Sequence, residues 1–321
     1  MNLDMNKKIF TLLVIVLGAF QTSWAQTRPL ALLETPTDAR SASMGGVSLM
    51  STDRSYLYIN PSSIFNSDKT FTISASGLLF PKYEGIDGRL MNGTISAGWK
   101  FLNRHAVFAG FRYQGGLFYE IIKDQFGTAG KKVAPFDWAA DLGYAFNFSK
   151  NFSAFATASL LQSYTGRGAY GGSFALGGNY YKELLLGQYD SKLNVAARVA
   201  DFGTPVYYSS KDGYALPTKA ELTADLMTSF SEDHRLGIVL GGRYYFLPAK
   251  SKVFQGNLGA EYTIYNIVSL RAGYQMGGHS SNFWSCGLGV QYWDVKIDFA
   301  YLGGQKNQVN NRMMLTLSYD F

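Results

Sequence analysis

From residue 70 to Phe321, apolar and polar side chains take turns at every second position, in one segment after another. A period of two marks a strand with one greasy and one wet face. Its recurrence makes the chain all-β. The approximate segments are 70–80, 90–102, 105–119, 135–148, 152–164, 169–181, 192–209, 218–230, 235–247, 253–264, 267–276, 281–292, 294–304 and 311–321, about 14 strands, with 192–209 read as one strand bent at Gly203. In "VSLRAGYQM" Val268, Leu270, Ala272, Tyr274 and Met276 share one face, and Ser269, Arg271, Gly273 and Gln275 the other. A soluble sandwich alternates in the same way, so the faces alone do not choose between architectures.

The links between segments do choose. "NR", "SKN", "SEDH", "YN" and a single residue at 293 are short, whereas "KDQFGTAGKKVAP" and "GGQKNQVNN" are long. Short links of one parity and longer ones of the other are expected of a transmembrane antiparallel β-barrel, whose periplasmic turns are tight. The link "KELLLGQYDS" (182–191) breaks the rule, and "TGRGA" is short for an outer loop. Charged residues make up only 16% of the chain, below the quarter or so usual in soluble domains, which fits a surface turned toward lipid.

The first segment sets the compartment. Lys7 and Lys8 precede the apolar run "IFTLLVIVLGAF", followed by small residues at Ser23 and Ala25, the pattern of an export signal over residues 1–25. The run is too short for a helical span, which needs roughly 20 residues. Cys286 is the single cysteine, so no internal disulfide is expected; its apolar strand position reads as packing. The net charge of +6 is scattered rather than gathered in a patch, so lipid headgroups, and no nucleic acid, are the expected contacts.

The last strand, "RMMLTLSYDF", carries its apolar side through Met313, Leu315, Leu317, Tyr319 and Phe321. In lipid every backbone donor and acceptor needs a partner within the protein, so the final strand is expected to pair with the first and close the sheet. Leu315, Leu317, Tyr319 and Phe321 also have the form of the signal read by the barrel-insertion machinery, a likeness to outer-membrane proteins generally. Residues 26–69 do not alternate, and are expected either to plug the barrel (70–321) or to hang in the periplasm.

That segment carries a resemblance. "LLETPTDARSASMGG" followed by "YLYINPSSIF", and later "DWAADLGYAFNFSKNFSAFATASLL", "GAEYTIYNIVSLRAGYQMGG" and "FWSCGLGVQYWDVKIDFAYLGG", resemble the PorV/PorQ family of outer-membrane proteins, relatives of the FadL-like barrels, and sit closer to the PorV branch. The resemblance implies a fourteen-stranded barrel in the outer membrane of a Gram-negative cell of the Bacteroidota. It also implies a role in the type IX secretion system, binding secreted cargo through its carboxy-terminal signal domain or anchoring surface partners. The chain departs from it in lacking long extracellular insertions. The alternative is a FadL-like transporter of hydrophobic small molecules; a passive porin is the third reading.

Three groups of residues stand out. Glu261, Arg271 and Asp298 fall on inward faces, and Gly287 and Gly289 on the intervening strand leave room for the guanidinium to reach across: a luminal charge network, or else plain solvated pore lining. In the amino-terminal motif Asp38 and Arg40 are candidates to pair with luminal charges. There Gly45 and Gly46 permit a sharp turn, and Asn60–Pro61 marks another. The FadL analogy favours the plug over the periplasmic cap. Trp284, Tyr292 and Tyr301 read as lipid-facing girdle. No catalytic, metal or cofactor site is expected: His105, His234 and His279 are scattered, and no zinc or phosphate-loop spacing occurs.

Overall fold

The computed structural model describes residues 30–82, 84–122, 129–209, 213–249, 252–277, 282–304 and 311–321. The expected export signal (1–25), residues 26–29 and His279 therefore lie outside the described residues. The chain folds into a closed antiparallel barrel of fourteen strands in simple meander order. They are β1 (Phe71–Leu79), β2 (Asp87–Phe101), β3 (His105–Ile122), β4 (Phe136–Asn147), β5 (Phe152–Tyr164), β6 (Gly168–Leu186), β7 (Tyr189–Gly203), β8 (Lys219–Ser229), β9 (His234–Tyr245), β10 (Phe254–Ile264), β11 (Val268–Met276), β12 (Phe283–Tyr292), β13 (Val295–Gly304) and β14 (Arg312–Asp320).

Closure is direct. β1 pairs with β14 from Thr72↔Asp320 to Leu79↔Met313, so the sheet has no edge within the membrane. Thr70 and Phe71 N–H groups both donate to the Phe321 carbonyl, at 2.8 and 2.7 Å, and Phe321 N–H donates to Phe71 O at 2.9 Å. The alternation sorts the faces of β14: Leu315, Leu317 and Tyr319 are 56%, 52% and 42% exposed on the outside, while Thr316, Ser318 and Asp320 are buried inside. Trp284 and Tyr292 likewise face outward. So does Cys286, which is exposed on the barrel exterior and does not pack into a core as its position suggested. No helix among the described residues is long and apolar enough to cross a membrane; the strands do so.

The longer exception in loop parity disappears. Residues 182–191 are not a long link: β6 runs on to Leu186, β7 starts at Tyr189, and only Gly187 and Gln188 turn between them. Their alternation was masked by three consecutive leucines. The predicted strand 192–209 also divides, because β7 ends at Gly203 and Val206–Tyr207 pairs instead with Gly213–Tyr214 in a small separate ribbon. The links of two to four residues after β2, β4, β6, β8, β10 and β12 lie at one end, the end expected to be periplasmic, and the three-residue link Thr165–Arg167 after β5 stays short at the other.

Residues 30–69 lie within the barrel. Leu30, Leu32 and Leu33 pack with Ala139, Leu161, Val206 and Leu216 near the outer end. Leu49, Tyr56, Leu57 and Ile64 pack with Phe108 and Phe155 further down. At the periplasmic end Lys100 Nζ donates to Ile64 O (3.4 Å), and the chain then enters β1. The hydrophobic core is thus the contact between this segment and the wall, since the barrel's own apolar side faces lipid.

Candidate functional site: a plugged lumen with an outward chamber

The plug owes its shape to short polar sequences that cap and turn. Asp38 is the N-cap of helix α1 (Ala39–Ser43), its carboxylate accepting from Ser41 N–H at 2.9 Å. Burial pushes the Asp38 carboxyl above its ordinary range, and the Ser41 bond opposes that rise. Gly45 and Gly46 follow in the left-handed region, at φ +77° and +67°. A Cβ on Gly45 would stand 2.7 Å from Tyr274 O, so conformation and space both demand glycine there. Asn60 caps the short helical turn Pro61–Asn66: its Oδ1 accepts from Ser62 N–H, and its Nδ2 donates to Leu49 O (3.1 Å) and to Asn179 Oδ1 on β6 (2.8 Å).

Plug and wall are joined by one chain of buried charges. Arg40 grips Glu261 on β10 with two parallel bonds, Nε–Oε2 at 2.9 Å and Nη2–Oε1 at 2.8 Å. Glu261 also accepts from Arg271 on β11, which donates onward to Asp298 on β13 with Nη1–Oδ1 at 2.6 Å. Asp298 pairs with Arg54, Arg54 with Asp53 (Nε–Oδ1 2.8 Å), Asp53 with Lys296 (Oδ2–Nζ 3.1 Å) and Lys296 with Asp320 (2.5 Å). The sign alternates at every step. A Cβ on Gly289 would stand 2.5 Å from both Arg271 Nη2 and Asp298 Oδ1.

The structure brings Arg40, Glu261, Arg271 and Asp298 together. It does not bring Asp38 to a luminal cation; that residue caps a helix instead. Asp53, Arg54, Lys296 and Asp320 were not foreseen. Lys296 and Asp320 sit at inward positions that the two-residue period exposes, but nothing in an aperiodic plug sequence predicts which of its charges meets which strand.

Above the plug lies a cavity of about 370 Å³, within the range of small-molecule sites. The plug supplies its floor through Thr35, Val47, Ser48 and Tyr58. Its walls mix aromatic side chains, among them Phe80, Tyr245 and Phe283, with paired charges. Arg198 donates to Glu221 (Nε–Oε2 2.7 Å), and Ser48 of the plug reaches the other oxygen at 2.9 Å. Arg112 holds Asp141 with two bonds, at 2.9 and 2.6 Å, and Tyr58 of the plug donates to the same carboxylate at 2.9 Å. Lys219 pairs with Asp201 at 2.7 Å. These charges project inward from β3, β4, β7 and β8 near the outer end. Two of the three histidines lie elsewhere: His105 and His234 sit at periplasmic strand ends, bonded to Tyr144 (2.7 Å) and Tyr262 (3.0 Å).

The comparisons concern this arrangement. In fold the chain is similar to the Ralstonia pickettii toluene transporter TbuX, with a TM-score of 0.62 and 13% identity over 88% of this chain and 97% of that one. It is similar to the P. putida toluene transporter TodX, with a TM-score of 0.59 and 14% identity over 88% and 98%. A Pseudomonas aeruginosa FadL homologue gives 0.53 and 12% over 89% and 98%. No family model and no curated protein matches the sequence. The chain has the fold of the FadL-like outer-membrane barrels.

Proposed function

We propose that the chain admits a small, largely apolar molecule bearing a polar end from outside the cell into the chamber above its plug, as a first step of passage across the outer membrane, without catalysing a reaction. The observation that carries this reading is the chamber itself: a cavity of about 370 Å³, floored by the plug, on a fold shared with hydrocarbon transporters. Phe80, Tyr245 and Phe283 suit an apolar body, and the Arg198–Glu221 and Lys219–Asp201 pairs suit a polar end. Native mass spectrometry of the protein taken from its own membrane tests it. Retention of a small lipid-like or aromatic molecule, lost when Val47→Trp fills the chamber, is expected; an empty chamber in membranes supplied with such molecules rejects the reading.

A second reading has its own support. The residues that resemble the PorV/PorQ motif, from Asp38 to Gly46 and at Asn60–Pro61, are those that shape the plug. The charge chain holds that plug fast and leaves a polar lumen. A filled lumen suits a barrel that works by binding proteins, as cargo carrier or surface anchor of type IX secretion. Recovery with secretion components, and without a small molecule, favours this reading over the first.

A further inference from the structure

β6 is the longest strand of the barrel, and its periplasmic end outruns its neighbour. Pairing with β5 stops at Phe152↔Tyr180. The turn before β5 holds one residue more: Tyr181 N–H donates to Asn151 O (2.9 Å), and Asn151 Nδ2 to Tyr181 O (2.7 Å). Both main-chain groups of Tyr181 therefore point toward β5. By the two-residue period those of Glu183 and Leu185 point the same way, past the end of β5. On the other side β7 pairs with this stretch to the tip, through Glu183↔Lys192, Leu185↔Asp190 and Leu186↔Tyr189. The result is a short open edge beyond the aromatic belt formed by Phe152 and Tyr180. Leu185 on it is 68% exposed and Leu186 43%.

Proteins blunt such edges with charge or proline, or cover them. This one carries Lys182 and Glu183 and then three leucines in a row. We propose that the Tyr181–Leu186 edge is a docking strand for an extended, acidic segment of a periplasmic protein, added as one more strand. Main-chain bonds to Glu183 and Leu185 give the register, and Leu184 and Leu186 the apolar contacts. Lys182 on the edge, Lys150 in the turn before β5 and Lys192 on the β7 ladder outnumber Glu183 and Asp190, so the segment that complements it is acidic. A second copy of this chain is disfavoured by symmetry. In the same membrane its edge runs in the same direction, which permits only the weaker parallel pairing. The inference does not depend on what enters the chamber.

The test introduces the photo-crosslinker p-benzoylphenylalanine at Gln188, in the full-length protein in its native cells. A discrete protein adduct is expected. Leu185→Pro removes an edge N–H without touching the β7 ladder, and should lower the adduct about five-fold, the worth of one backbone hydrogen bond. Glu183→Pro should do the same, and heat-modifiable gel migration reports whether each variant still forms its barrel. Lys182→Glu should lower the adduct about two-fold, as an exposed charge contact does. Lipid adducts alone, or a protein adduct undiminished in folded proline variants, overturn the proposal. An adduct sensitive to proline and indifferent to Lys182→Glu overturns its acidic part.

Discussion

Arg271 on β11 and Asp298 on β13 bond to each other across the whole width of β12, with Nη1 2.6 Å from Oδ1 and Gly289 the residue beneath them. Neither side chain is open to water. Removing the cation takes from buried Glu261 and Asp298 the partner they share and leaves each with one arginine of the plug, a loss of up to about 3–5 kcal/mol for a buried pair broken on one side. Arg271→Met should therefore lower the temperature at which the barrel opens on a heated gel. Unchanged heat and detergent resistance would leave the charges as simple pore lining.

Gly289 is tested from the other direction. Gly289→Val puts branched carbon where the Arg271–Asp298 bond passes, while every charge stays in place. Overpacking of this kind costs about 1–3 kcal/mol. The expected outcome is a smaller fall in the same transition temperature, measured in the same assay.

The plug is held by Arg40 and Arg54, which contribute its cations to the charge chain. Arg40→Ala combined with Arg54→Ala removes both and leaves Glu261 and Asp298 to share Arg271, at roughly 3 kcal/mol or more in all. In planar bilayers the parent protein should show little conductance and the double variant frequent open steps. Identical traces would mean that apolar packing alone retains the plug.

The seam depends on the last residue. Phe321 accepts from Thr70 and Phe71, donates back to Phe71, and its ring lies 5.1 Å from that of Phe71. Deleting it removes three backbone bonds, each worth about 1 kcal/mol. Less folded barrel in the outer membrane is expected, measured as the heat-modifiable fraction. Phe321→Tyr, which keeps the bonds, should assemble normally.

The chamber gives the functional test. Ser48→Trp fills its floor and removes the hydroxyl that touches Glu221. Uptake of a small aromatic molecule by intact cells should fall to that of cells lacking the protein, while secretion is unaffected. Lost secretion with unchanged uptake would favour the protein-binding role.

What the sequence disclosed follows the reach of its periodicity. Val268 to Met276 declared their faces because each strand residue repeats its orientation two places on, whatever lies beside it. The same parity put Glu261, Arg271 and Asp298 inside. It failed at Lys182–Ser191, where Leu184, Leu185 and Leu186 stand on both faces and hide a strand as a loop. It was silent on Asp53 and Arg54, because contacts between a plug and a wall more than two hundred residues away depend on register in three dimensions. The chamber's cations and anions lay in view on β3, β4, β7 and β8, but nothing local shows that they converge above Ser48 and Tyr58.

The alternating chain of charges is neutral only while it is whole. Its plug portion, Arg40, Arg54 and Asp53, carries one excess positive charge; its wall portion, Glu261, Arg271, Asp298, Lys296 and Asp320, one excess negative. A vacated lumen would thus prefer potassium to chloride, because a ring of net negative side chains favours cations. Reversal potentials under a salt gradient would read that ion selectivity directly.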